Sequence, residues 1–106
     1  MKAYRIVLHE RAEGELRDLY RDLASDDKAG PVVAWNYISG IRRFIAELAT
    51  FPKRGTVRDG LIPGLRIIGY RRSVSIAFVV EDAHVLVLGV FYGGQDITLE
   101  ALEERL

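Results

Sequence analysis

The chain has 106 residues, of which 49% are hydrophobic, and its 15 basic and 15 acidic side chains cancel, so it reads as one small domain over residues 1–106 with material for its own core. It has no cysteine, which excludes a disulfide framework and a thiolate metal site, and its two histidines, His9 and His84, lack metal-ligand spacing. No apolar run approaches the ~20 residues of a membrane span, and Arg5, His9, Glu10 and Arg11 interrupt the start where a secretory leader would be apolar. These features predict a cytoplasmic chain with no membrane partner, metal or cofactor.

The first residues alternate: Tyr4, Ile6 and Leu8 face one way, Arg5 and Val7 the other, the period of a half-buried strand. Ala12, Leu16, Leu19, Tyr20 and Leu23 then recur at helical spacing. Glu13, Arg17, Asp18, Arg21 and Asp22 fill the opposite face, which predicts an amphipathic helix over about residues 10–25. The stretch SDDKAG breaks it. Pro31 suits the first turn of a second helix, whose stripe is Ala34, Tyr37, Ile38, Ile41, Ile45 and Leu48. Trp35 and Phe44 flank that stripe, and Trp35 reads as helix packing or else as a partner contact. Gly40 costs about 1 kcal/mol in helix propensity and is expected to let the first helix approach in an antiparallel hairpin.

Pro52 ends the second helix, and three extended runs follow after a basic loop. They are LRIIGY, SVSIAFVV and VLVLGVFY. The middle run puts Val74, Ile76, Phe78 and Val80 on one face. The last is apolar on both faces, as a central strand would be. Gly93 and Gly94 are expected to take positive φ, and Thr98 to cap a short helix carrying Leu99, Leu102 and Leu106. The order predicts an α+β fold. An N-terminal strand and an antiparallel helical hairpin pack on a mainly antiparallel four-stranded sheet, and a short C-terminal helix closes the chain.

Charge is not spread evenly. Lys53, Arg54, Arg58, Arg66, Arg71 and Arg72 are opposed only by Asp59, while residues 95–106 set Asp96, Glu100, Glu103 and Glu104 against Arg105. The basic stretch is either a solvated loop or a surface for an anionic partner. Arginine outnumbers lysine there five to one, which suits bidentate pairing with carboxylate or phosphate. Arg66, between Leu65 and Ile67 on a strand, points away from their face and is expected to have a specific partner. The acidic tail reads as a solvated helix face, or as a cover for the basic surface.

The order of elements and the run GLRIIGYRRSVSIAFVVEDAHVLVLGVFYGGQD resemble the RelE/ParE toxin superfamily of type II toxin–antitoxin systems, in its ParE-like branch. Members have a GLR strand, an arginine-flanked second strand ending in acidic turn residues, and an apolar third strand leading to a glycine and a Gly-x-Arg-Asp-like element. The resemblance implies a toxin that inhibits DNA gyrase by binding. It also implies a hetero-oligomer with a cognate ribbon-helix-helix, ParD-like antitoxin. The tail of that antitoxin would meet Lys53, Arg54, Arg58, Arg66, Arg71 and Arg72 and place apolar residues between the hairpin and the sheet. The alternatives are a RelE-like ribosome-dependent mRNA endonuclease and a non-toxic relic that only binds its antitoxin.

Metal-free RNA cleavage needs a base at the 2′-hydroxyl, cations at the phosphorane and an acid for the leaving oxygen. RelE-like enzymes take these from lysines and arginines on the sheet and a late tyrosine or histidine. On that pattern Arg66 matches one cation, whereas Ile68, Ser75, Gln95 and Ala101 stand where the other groups would be. An endonuclease would therefore have to rely on Arg66, the loop cations and Tyr92, and the ParE-like reading carries no catalytic residue.

Overall fold

A computed structural model describes residues 3–25 and 28–106. Strand β1 (Arg5–Leu8) runs into helix α1 (Glu10–Leu23) through His9, whose Nδ1 accepts the Arg11 backbone N–H at 3.0 Å. The helix buries Ala12, Leu16 and Leu19, three of the five residues of the expected apolar stripe. Asp26 and Asp27 of the SDDKAG break lie outside the described residues. Helix α2 (Pro31–Ala46) starts with Pro31 at its first turn and buries Ala34, Ile38, Ile41 and Ile45, and a 3-10 turn (Glu47–Ala49) extends it to the buried Leu48.

Among the described residues the sheet has five strands, in the order β1-β5-β4-β3-β2. Strand β3 (Leu65–Tyr70) pairs antiparallel with β4 (Val74–Val80), and β4 pairs antiparallel with β5 (His84–Tyr92). β1 joins β5 in parallel, so the sheet is mixed, and β5 occupies an interior position as its apolar composition requires. The expected four strands become five because β2 (Thr56–Val57) pairs with Arg66 and Ile67 inside the basic stretch. Two exposed residues in a glycine-rich, charged run carry no alternation to reveal them.

Both faces of the sheet are covered. On the helix side Leu16, Ile41, Ile45, Val74, Ile76, Phe78, Val85 and Val87 form the main core. On the other side Ile62, Leu65, Ala77, Val79, Leu88 and Phe91 pack beneath Leu102 of helix α3 (Leu99–Leu102). Thr98 caps that helix by accepting the Ala101 N–H at 3.2 Å.

The pairing of β4 with β5 shifts between Ala77 and Phe78, which face Gly89 and Val87, so Leu88 is an extra residue. This bulge reverses the alternation. Val85 and Val87 face the helices before it, and Val90 faces them after it.

Gly40 has a different neighbour from the one expected. A Cβ there would collide with the Tyr70 hydroxyl, and no α1 atom is among its nearest neighbours. The missing side chain makes room for a tyrosine from β3. Trp35 is also displaced from expectation: it is 64% exposed, so packing does not account for it.

Candidate functional site

The basic stretch folds into two separate groups. Lys53 and Arg54 precede β2, Arg58 follows it, and Arg66 lies opposite Val57. These four gather at the β2 edge. Arg71 and Arg72 form the turn between β3 and β4, and five residues at ~3.3 Å each put Arg71 about 17 Å from Arg66. The lone acid of the stretch, Asp59, is exposed and accepts the Gly64 N–H across its own loop at 2.7 Å.

Arg66 shares the helix-side face with its pairing partner Phe78. It is half-buried, and its hydrogen-bond partner is the Arg54 carbonyl, at a long 3.5 Å. The expected specific partner is therefore not a carboxylate among the described residues. Arg54 lies 5.4 Å from the Phe44 ring centroid and 3.9 Å from Glu47, a loose and exposed ion pair.

An aromatic row links the two cationic groups. Phe44 meets Tyr70 at 5.1 Å between ring centroids, Tyr70 meets Tyr37 at 6.0 Å, and the Arg71 guanidinium lies 5.5 Å from the Tyr70 centroid. Burial pushes the Tyr37 phenol above its ordinary value, and the neighbouring Tyr92 adds to the effect. Arg71 and Arg72 have φ of 49° and 65°, in the left-handed region. That conformation costs an L-residue about 1–2 kcal/mol.

The residues considered for RNA cleavage do not converge. Arg66 pairs with Phe78 and Tyr92 with Val74, at opposite ends of β4 and on either side of it. Four residues of rise and two strand spacings separate their Cα atoms by roughly 16 Å. Ile68 packs on the main core and Ala101 on the second. Ser75 lies within β4, and Gln95 accepts the Tyr92 N–H at 3.1 Å.

Two features were not foreseen. One is a groove of about 450 Å³ between α1 and α2, floored by Leu16 and Ile38 and flanked by Tyr20, Trp35, Arg17 and Arg42. Arg42 is committed across the hairpin to Glu13, with two contacts at 3.2 and 3.0 Å. Trp35, 64% exposed, is the signal that the sequence offers for this groove. The other is Arg105, 4% exposed, whose guanidinium meets both Glu15 oxygens at 3.0 Å and the Leu88 carbonyl at 3.1 Å. Glu15 in turn accepts the Val90 N–H at 2.9 Å. No spacing rule links residues at opposite ends of a chain.

The sequence matches the family model described as ParE toxin of type II toxin-antitoxin system, parDE, over residues 6–97. The chain belongs to the ParE toxin family. A chain of the chromosomal ParDE system of P. aeruginosa has a similar fold, with TM-score 0.73, 20% identity, and coverage of 86% of this chain and 97% of that one. A mutant of the E. coli toxin RelE in the free state is also similar, with TM-score 0.67, 19% identity and 98% coverage of both chains. No curated protein matches the sequence. For this ParE family member the α+β architecture follows from both neighbours. The tail does not shield the β2-edge cations by ion pairing among the described residues: its ion pairs run from Arg105 to Glu15 and from Glu104 to Arg11, 3.5 Å apart. No described helix is long and apolar enough to cross a membrane.

Proposed function

We propose that this ParE toxin acts in the cytoplasm by binding DNA gyrase, and that a ParD-like ribbon-helix-helix antitoxin neutralises it. The separation of Arg66 from Tyr92 carries the choice of binding over RNA cleavage. In-line cleavage needs its acid, base and cations within a few ångströms of one phosphate, and Cα atoms roughly 16 Å apart let Arg66 and Tyr92 meet there only at full side-chain extension. Gyrase as the target rests on family membership.

The antitoxin would reach the β2 edge with an acidic tail that folds on binding. Carboxylates would take Arg66 and its neighbours Arg54, Arg58 and Lys53. Apolar tail residues would enter the groove between α1 and α2 beside Trp35, because the space between hairpin and sheet is filled by core side chains.

A gyrase supercoiling assay and an mRNA cleavage assay on translating ribosomes, run on the same purified chain, test the reading. Inhibited supercoiling with intact mRNA is expected. Codon-specific cleavage abolished by Arg66→Ala would replace this reading with the endonuclease.

A further inference from the structure

Arg71 and Arg72 form a turn that folding alone does not favour. The connection is the three residues 71–73, and Arg71 and Arg72 both have positive φ, a region that Gly and Asn enter far more readily than arginine. Both are exposed, and neither has an ion-pair partner among the described residues. Strain kept at an exposed, charged position points to use by a partner. The base of the turn is also braced. Tyr70 beneath it is held by Phe44 and Tyr37 and admitted by Gly40, and the Ser73 carbonyl accepts the Gly93 N–H at 2.9 Å. Two exposed arginines, Arg71 with its guanidinium beside the Tyr70 ring, are thus presented on a braced turn.

We infer that the Arg71–Arg72 tip is the contact by which the toxin enters a carboxylate-lined pocket on its protein target; this rests on the chain being an active toxin. Magnitude decides against nucleic acid as the ligand. Two cations on a chain with no net charge would neutralise about two phosphates, which gives a salt slope near −1.8 and only weak binding at physiological salt. Desolvated in a protein pocket, each guanidinium pairs a carboxylate bidentately, and arginine is enriched among interface hot spots. The turn's backbone is already set before docking, so the ordering cost is confined to the arginine side chains.

Two variants test this. Arg71→Asn with Arg72→Gly relieves the strain and removes the charge. Arg71→Lys with Arg72→Lys keeps both the charge and the strain. The first should melt about 5–10 °C higher than the wild type. It should lose growth arrest on induction, and its half-inhibitory concentration against gyrase should rise about tenfold or more. The lysine pair should melt within a few degrees of the wild type and lose inhibition only in part. Growth arrest by the Asn-Gly variant equal to wild type would overturn the inference, as would an unchanged melting temperature. Wild-type arrest with normal supercoiling, lost in the Asn-Gly variant, would support the tip while moving the target away from gyrase. Duplex DNA retarded at physiological salt by wild type but not by the Asn-Gly variant would assign the tip to nucleic acid and overturn a protein contact. A wild-type chain that neither arrests growth nor inhibits gyrase would remove the toxin reading, and this inference with it.

Discussion

A single absent side chain decides how α2 sits on the sheet. Gly40 leaves room for the Tyr70 hydroxyl, and the ring carbon bearing that hydroxyl would lie 3.5 Å from a Cβ, an ordinary contact. The conflict introduced by Gly40→Ala is therefore with one oxygen. That tyrosine packs against Phe44 and Tyr37, so swinging it clear disturbs both contacts. Overpacking of this kind costs about 1–3 kcal/mol, more than the ~1 kcal/mol that alanine adds in helix propensity. Gly40→Ala should lower the denaturant midpoint. Adding Tyr70→Phe should restore it, because only the colliding oxygen is removed. A double variant no more stable than Gly40→Ala alone would show that the packing conflict lies elsewhere. Gly89 carries a similar constraint: a Cβ there would lie 2.7 Å from the Phe91 ring and would collide with the Arg105 guanidinium.

At the scale of elements, two ion pairs behave differently because one is exposed at both ends and the other has its arginine buried. Glu13 and Arg42 tie α1 to α2 with side chains 38% and 46% exposed, so the pair contributes only about 0–1 kcal/mol. The Arg42 hydrogen bond holds the Glu13 carboxyl below its usual 4.5. A lowered folded pKa means stability present above 4.5 and lost as pH falls through the lower folded value. Glu13→Gln should flatten that acid limb slightly and leave neutral stability within about 1 kcal/mol, by melting at several pH values. Arg105 and Glu15 instead clamp the C-terminal segment to α1 and to the part of β5 that runs past β1. Arg105 is 4% exposed but Glu15 is 26% exposed, so losing Arg105 strands a carboxylate that water partly reaches, and the cost falls toward or below the low end of the ~3–5 kcal/mol of a fully buried pair; Arg105→Ala should lower the melting temperature by about 10 °C.

These elements also mark what the sequence made legible. Helix stripes and the alternation of β1 and β4 are local periodicities, and Ala34, Ile38, Ile41, Val74 and Ile76 are buried where the pattern puts them. The bulge at Leu88 was hidden because β5 is apolar on both faces, so either parity reads alike. Gly40 against Tyr70 and Glu15 against Arg105 join residues far apart in sequence, and no local period contains them. Of the candidate site, the charge of the basic stretch was legible. Its division into an edge and a tip was not, since β2 fixes the edge group and β3 carries the tip away from it.

Across the whole molecule, the β2-edge cations should differ in how they act on an antitoxin. Arg58 is exposed, and Arg54 is held only loosely by Glu47 and Phe44. Charges of that kind steer encounter and are screened by salt. Arg66 is half-buried, lies on the helix-side face, and among the described residues has only the long contact to the Arg54 carbonyl, so its capacity to donate is largely unspent. A tail carboxylate reaching it would be partly desolvated, and truncating Arg66 would leave that carboxylate buried and unpaired at a cost of roughly 2–5 kcal/mol. Arg58→Ala and Arg54→Ala should therefore slow association a few-fold and weaken its dependence on ionic strength, with little change in dissociation. Arg66→Ala should speed dissociation by about 30-fold or more and leave association nearly unchanged. Stopped-flow mixing with the cognate antitoxin at two salt concentrations separates the two patterns. If all three variants leave both rates at wild-type values, the β2 edge does not face the antitoxin, and its charge is left to the cellular target.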